Sequence, residues 1–511
     1  MTLQVSPQRS VATSSLYILI QGVVGNVIGL VYISFATRIL SVAEIGIATA
    51  LSLIASVFVV FGSLAIPSAA MKYIPEFFGR GEGDVSKGIY RRVLGFGLLV
   101  SGLSSFLCLI AATAISAIFL GSQSYEPLVR VLALDVFALL LSSFCGGILA
   151  GIKKFKEISL AGIALAILRY TSSIYLLLIG YGLMGAVVGW VIGDFIGLGL
   201  MVFFASTTFR AIHVHKTYPF SQLLKYSLPL YASGILSFFS GTIDRFVILL
   251  FSGLQTFAIY SVAMTTTSAI GMVSSSLSGP LTPQYSEIYG QHGKEALKES
   301  SMITSRYIFL IYVPLAVGLA ATALPTITLF YGFNYESGWL PLALVSIAAA
   351  LTCASFVVSN LLLSLSLTRA FLESSVLAMV IGVPLLALLV GSFGSAGAAL
   401  AKSLMFLVLF AYQAYILKKS FGLYFDLSAF ENVLVSSAVM AIVVVLMQFI
   451  WRNIYMLPLY ILVGGFIYFL MLRILKVFNK QDIILFNQIA PKRFRKVVDA
   501  FAKLYGVRDY T

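Results

Sequence analysis

Residues 45–50 read Ile-Gly-Ile-Ala-Thr-Ala, and residues 257–262 read Phe-Ala-Ile-Tyr-Ser-Val. Both stretches lie in long apolar runs, about 212 residues apart. Downstream, residues 73–81 (Tyr-Ile-Pro-Glu-Phe-Phe-Gly-Arg-Gly) and residues 285–293 (Tyr-Ser-Glu-Ile-Tyr-Gly-Gln-His-Gly) keep the same separation and match once one residue is dropped. Each copy sets a pair of apolar helices ahead of a loop rich in Tyr, Glu and Gly. Two copies of one helical unit in a single chain is how many secondary transporters are built.

Composition agrees. Apolar residues make up 60% of the 511 and charged residues 10%, against about 45–50% and about 25% in soluble domains. So much apolar surface needs lipid as its solvent, because a single soluble core stops growing near ~250–300 residues. Continuous apolar runs rather than alternation select helices, which satisfy their own backbone in hydrocarbon. A span takes about 20 residues. The runs predict fourteen transmembrane helices: 16–40, 45–70, 93–120, 127–150, 157–179, 184–206, 225–251, 256–282, 303–330, 338–366, 372–392, 395–417, 430–451 and 456–477. Arg9 is the only charge ahead of the first run, which exceeds signal-peptide length and shows no cleavage pattern, so it reads as a retained span. Cys108, Cys145 and Cys353 lie in apolar runs without paired spacing and read as small buried hydrophobes, with no disulfide or metal role.

Basic residues set the orientation. With an even number of spans and a cytoplasmic N-terminus, the cytoplasmic segments hold Arg9, Lys72 to Arg92, Lys153, Lys154, Lys156, Arg210, Lys216, Lys225, Lys294, Lys298, Arg306, Arg369, Lys418, Lys419 and the tail. The outer loops keep only Arg38 and Arg452. That asymmetry predicts a multi-pass protein of the cell membrane with both termini in the cytoplasm. It also accounts for the net charge of +14 without nucleic acid. The tail residues Lys492, Arg493, Arg495 and Lys496 are expected to meet anionic lipid headgroups.

Six spans separate the two copies, an even number, so they share one orientation and form a parallel pseudo-repeat. The predicted fold is an all-α integral membrane protein. An N-lobe at 1–206 holds spans 1–6, a cytoplasmic linker follows at 207–224, and a C-lobe at 225–418 holds spans 7–12. Spans 13 and 14 at 419–478 have no counterpart, and a basic tail closes the chain at 479–511.

No enzyme motif is present: no phosphate-binding Walker loop, no Gly-x-Ser-x-Gly and no His-Glu-x-x-His. His213, His215 and His292 fall in loops and read as solvated. Intramembrane charges are more informative. A charge at the bilayer centre costs at least about 2.5–3.5 kcal/mol, so it faces a wet cavity or a partner. Arg169, with Tyr170 beside it, lies near the middle of span 5, and Asp194 near the middle of span 6. Asp244 and Arg245 lie in the outer half of span 7, projecting about 100° apart. These four are too deep to snorkel and read either as cavity-facing groups or as mutual partners. Arg130 and Asp135 belong to span 4, and Lys402 to the outer part of span 12. Arg38, Arg130 and Lys402 read either as snorkelling groups or as cavity cations.

Counted together, Arg169, Arg245, Arg130, Lys402 and Arg38 outnumber the acids, a balance that suits an anionic substrate held by guanidinium forks. Asp244, Asp194 and Asp135 would pair with those cations or bind a coupling Na⁺ or H⁺. Helix breakers mark candidate hinges. Pro229 is expected to open span 7, Pro280 and Pro283 to close span 8, Pro314 and Pro325 to interrupt span 9, and Pro384 to bend span 11. Gly185, Gly189, Gly193 and Gly197 form a stripe in span 6 that lets a neighbouring helix of the same lobe approach closely.

Ser227-Leu228-Pro229, Asp244-Arg245-Phe246 and Ala258-Ile259-Tyr260-Ser261-Val262-Ala263 resemble the Wzx-type polysaccharide flippases of the multidrug/oligosaccharidyl-lipid/polysaccharide exporter superfamily. Arg38-Ile39-Leu40 with Glu44-Ile45-Gly46, and the loop Gly151-Ile152-Lys153-Lys154-Phe155, are similar to the same pattern. The similarity covers most of the chain. It implies V-shaped lobes around a central cationic cavity, with no cofactor and no enzymatic activity. The implied substrate is an oligosaccharide linked to a polyprenyl or dolichyl phosphate or diphosphate, moved from the inner to the outer leaflet by alternating access. Asp244 and Arg245 carry over as the polar residues of span 7, whereas no motif covers Arg130, Arg169, Asp194 or Lys402. Span 1 lacks the deep arginine of the peptidoglycan-precursor flippases, which argues against that substrate.

Without ATP chemistry, drive falls to an ion gradient, to consumption of product outside or to the membrane potential, which favours one outward negative charge by about 2.3 kcal/mol per 100 mV. The chain reads as a monomer whose partners are the lipid-linked glycan and membrane lipids. A cation-coupled multidrug exporter of the same superfamily is the alternative. A membrane glycosyltransferase or polymerase would need large extramembrane loops, which are lacking.

Overall fold

A computed structural model describes residues 7–210, 218–422, 425–451 and 453–477. The basic tail and residues 211–217 of the predicted linker lie outside the described residues. Regular structure among the described residues is entirely helical. Eleven helices are long and apolar enough to cross a membrane, or twelve if the pair Phe333–Leu351 and Ser355–Ser364, bent by 49°, is one broken span. The protein is a multi-pass membrane protein.

Two of the apolar stretches, Phe220–Gly271 and Arg369–Ser420, run for 52 residues each. A straight helix of that length would extend about 78 Å, more than twice the ~30 Å hydrocarbon core. Neither is straight. Gly253 at φ +77° and Gly394 at φ +54° interrupt them in the left-handed region, where a side chain would clash with the backbone.

The chain divides into two compact units. The first holds Met1–Val262 with Leu386–Ala398. Its helices are α1 (Pro7–Ile39), α2 (Val42–Ser63), α3 (Ile66–Gly79), α4 (Gly83–Ile110), α5 (Ala112–Phe119), α6 (Glu126–Gly151), α7 (Phe155–Leu178) and α8 (Gly182–Phe209), followed by the first part of the helical run α9 (Phe220–Ala321). The second unit holds Ala263–Leu385 with Ala399–Thr511. It contains the rest of α9, then α10 (Ala323–Tyr331), α11 (Trp339–Leu351), α12 (Ser355–Ser364), most of α13 (Thr368–Ser420), α14 (Leu427–Ile450) and α15 (Leu457–Ile474).

Local sequence explains the helix that opens the repeat. Ser41 caps α2 by accepting from the Glu44 amide, and the Glu44 carboxylate accepts from the Ser41 amide at 2.8 Å. This reciprocal box satisfies two otherwise orphaned donors. One turn on, Gly46 lies so close to the second copy that a Cβ there would fall 2.2 Å from the Leu254 carbonyl oxygen.

Each unit has its own core. In the first, Ile89, Phe144, Ile148 and Phe209 are buried together. In the second, Tyr285, Phe309 and Val313 pack with Tyr468, whose hydroxyl donates to the Leu310 carbonyl at 2.8 Å. The outward faces stay apolar. Val23, Val27 and Val31 form an exposed stripe at four-residue spacing on α1, and Leu99, Phe106 and Ile110 are exposed on α4. Surface of this kind is stable against lipid, not water.

Pro229, Pro280, Pro283 and Pro314 do not coincide with helix ends, whereas Pro325 stands in the first turn of α10, just past the break at Thr322. Helical backbone begins at Phe220, so Pro229 stands inside the helix rather than opening it. It also continues through Pro280, Pro283 and Pro314. Pro384 lies inside α13. The left-handed breaks fall on Gly253, Gly293 and Gly394.

Candidate functional site

Three charged residues from three helices meet inside the first unit. Arg169 stands about 21 Å along α7, Asp194 about 18 Å along α8 and Asp135 about 14 Å along α6, all away from the helix ends. The Arg169 guanidinium donates to Asp194 Oδ2 through Nη1. Its Nη2 lies 4.0 Å from Asp135 Oδ2. Both carboxylates are almost wholly buried, whereas 15% of the Arg169 side chain is accessible. Oδ1 of each acid has no hydrogen-bond partner. The cluster therefore sets two carboxyl groups against one guanidinium, one acid in excess, in a place where charge is costly.

The glycine stripe makes this geometry possible. A Cβ on Gly193 would fall 2.3 Å from the backbone of Arg169, and one on Gly189 would fall 2.4 Å from Ser173. Close packing of α7 on α8 brings Asp194 to the arginine. Ser172 and Ser173 pin the contact by donating to the Gly189 and Ala186 carbonyls, each at 2.9 Å. An aromatic ring lies over the guanidinium, backed by two more. Arg169 Cζ lies 4.9 Å from the Trp190 ring centroid. Trp190 Nε1 donates to the Tyr32 hydroxyl at 3.3 Å, and Tyr32 stacks on Tyr170 at 4.8 Å.

The other predicted residues have settings of their own. Asp244 is buried and accepts from the Tyr260 hydroxyl at 2.5 Å, with half-buried Arg245 next in the chain. Arg130 pairs with Glu126 one turn back, with 64% of its side chain exposed. Arg38 is exposed in the last turn of α1. In the second unit Lys402 is buried, its Nζ 5.5 Å from the Phe406 ring centroid. Two cavities of about 450 and 390 Å³ lie in the first unit, lined by residues other than these. No group of three or more His, Cys, Asp or Glu gathers among the described residues in a way that could hold a metal.

Residues 35–339 match the profile of the family described as polysaccharide biosynthesis protein. The chain belongs to that family. No curated protein matches this polysaccharide biosynthesis protein in sequence. Its fold is similar to that of "Lipid II flippase MurJ, inward closed conformation", at 17% identity and a TM-score of 0.70, covering 91% of this chain and 98% of the other. It is also similar to an inward-facing multidrug resistance MATE family transporter of the MOP superfamily, at 16% identity, TM-score 0.64, and 80% and 96% coverage. A MOP superfamily transporter from Pyrococcus furiosus matches at 15% identity, TM-score 0.57, and 81% and 97% coverage. The fold is therefore that of the exporter superfamily suggested by the sequence.

Sequence reasoning found the charges of this family member and Tyr170, but not Trp190 or Tyr32. Trp190 is four residues before Asp194 and shares its helix face, a spacing that could have marked it. Tyr260 stood in the quoted motif without a role. Of the two sequence readings of Arg169, cavity cation or mutual partner, the geometry shows the pairing: its guanidinium faces two acids.

Proposed function

We propose that this polysaccharide biosynthesis protein is a flippase, carrying an oligosaccharide on a polyprenyl or dolichyl phosphate or diphosphate from the inner to the outer leaflet by alternating access. The observation that carries the reading is the buried Arg169–Asp135–Asp194 cluster in a chain of this family. Three titratable side chains held away from helix ends are costly to desolvate, and ionisable groups at such depth mark ion or substrate routes. In this reading Asp135 and Asp194 take up the coupling H⁺ or Na⁺ while Arg169 holds them in place. Arg245 is the cation offered to the substrate phosphate, with Arg38, Arg130 and Lys402 as further cations of the route. Each 52-residue stretch counts as two spans and the bent pair as one, which brings the proposed total to fourteen. The termini face the cytoplasm of the cell membrane, and the protein acts without enzymatic turnover.

The acid excess in the cluster favours one second reading, a cation-coupled multidrug exporter. One experiment separates the two. Purified protein in vesicles is given a fluorescent polyprenyl-diphosphate glycan or a fluorescent aromatic cation, under an imposed H⁺ or Na⁺ gradient. Glycan translocation that falls at least tenfold in R245Q, with no movement of the cation, is expected. Movement of the aromatic cation alone would replace the flippase reading with the exporter.

A further inference from the structure

The larger cavity has no part in the proposed transport site. It opens between the start of α4 and the end of α8, all within the first unit, and has a volume of about 450 Å³. Lys87 and Arg91, one turn apart on α4, and Arg210 at the end of α8 supply three cations, and among the described residues no acid lines it. Neither Arg91 nor Arg210 forms an ion pair among the described residues. Tyr90 and Phe209 stack at 4.5 Å along its wall. Phe203, also in the lining, is 59% exposed.

The cavity lies at the basic end of the unit. A neighbouring cavity is lined by Gly79, Gly151 and Thr208, so the ends of α3, α6 and α8 come together there. That end gathers Arg80, Lys87, Arg91, Arg92, Lys153, Lys154, Lys156 and Arg210, while Arg38 and the Glu126-paired Arg130 belong to the opposite ends of α1 and α6. By the rule that cytoplasmic segments carry the excess of Lys and Arg, the cavity opens at the inner leaflet.

We infer that this cavity holds the headgroup of an anionic phospholipid. Three cations without an acid suit a phosphate-bearing group. The volume falls within the ~300–1,000 Å³ of small-molecule sites, room for a headgroup but not for an extended glycan. A soluble phosphate shares the charge, but an exposed phenylalanine beside the cations fits a headgroup with an acyl chain attached. Further along the same helices Ile196, Leu98 and Leu99 are exposed to receive such chains.

The test reads binding, not transport, and so stands apart from the flippase assignment. Full-length protein is purified from vesicles of equal parts phosphatidylcholine and phosphatidylglycerol, and retained lipid is counted by native mass spectrometry. Wild-type protein retains phosphatidylglycerol over phosphatidylcholine, and R91Q/R210Q lowers that preference roughly 30-fold. K153Q/K154Q removes the same charge from the same end outside the cavity and leaves the preference in place. If the double variant melts early, K87Q alone reads the site, with an expected loss of roughly fivefold. Undiminished retention in R91Q/R210Q overturns the inference. So does displacement of phosphatidylglycerol by millimolar inorganic phosphate, or by an equimolar polyprenyl phosphate.

Discussion

Arg130 and Arg169 each face carboxylates, and α6 supplies an acid to both, yet their settings are opposite. Arg130 reaches back one turn to Glu126 on its own helix, and most of its side chain stays in contact with solvent or headgroups. Arg169 ties α7 to α8 through Asp194 and approaches α6 at Asp135, and both of its acids are buried. In the first case water can replace either partner. In the second, no solvent compensates the group that is left. Pairing as such contributes little at a surface, about 0–1 kcal/mol. Breaking a buried pair from one side costs about 3–5 kcal/mol. The difference between the two arginines is thus a difference of dielectric surroundings, not of partner chemistry.

The largest expected effect tests that statement directly. R169A leaves Asp135 and Asp194 facing each other without a cation, and should lower stability by about 3–5 kcal/mol. Denaturation of the purified protein in detergent measures it. D135N is the internal contrast. It removes the excess acid, which is also the more distant partner, leaving a one-to-one pair of Arg169 with Asp194, so its cost should be less than half that of R169A. An R169A protein as stable as wild type would place this cluster in the same class as the exposed pair.

How much of this was legible in the sequence differs between fold and site. The helical membrane fold follows from continuous apolar runs, and the repeat around Ile45 and Phe257 ties it to a duplicated unit. The breaks were harder to see. Pro229, Pro280 and Pro283 read as boundaries because proline removes a backbone donor, but a helix in a packed bundle tolerates that loss when its neighbours compensate. Gly253 and Gly394 make the turns through positive φ, a property invisible among 42 glycines.

Depth alone identified Arg169, Asp194 and Asp135 as costly charges. It did not say which would meet, because the partners come from three different helices. One clue lay in α6 itself. Arg130 and Asp135 are five residues apart, about 140° around the helix, so they could not share a face. Their separation into an exposed pair and a buried cluster follows from that angle.

An intermediate effect is expected at Tyr260, whose setting is buried like that of Arg169 but whose donor is neutral. Its hydroxyl donates to Asp244 at 2.5 Å, and both residues are nearly inaccessible. Y260F keeps the ring and its packing but removes one donor from a buried acid. A loss of about 1–3 kcal/mol follows from the desolvation of the acceptor left behind. The same denaturation measurement places Y260F between R169A and the surface pair. A cost equal to that of R169A would mean that burial alone, without net charge, sets the scale.

The smallest effect belongs to R130A. The pair it removes lies within one helix turn, where i,i+4 pairs contribute about 0.2–0.5 kcal/mol. Glu126 lies in the first turn of α6, where the helix dipole already favours a negative charge. It therefore loses little when Arg130 is absent. R130A should lower stability by no more than about 0.5 kcal/mol, and the loss should shrink further in high salt, which screens exposed charges within a few ångströms. R169A should respond to salt hardly at all, because ions do not reach its acids. Salt dependence therefore separates the two arginines even if their absolute costs prove closer than expected: a salt-sensitive R169A would mean that water and ions enter the cluster.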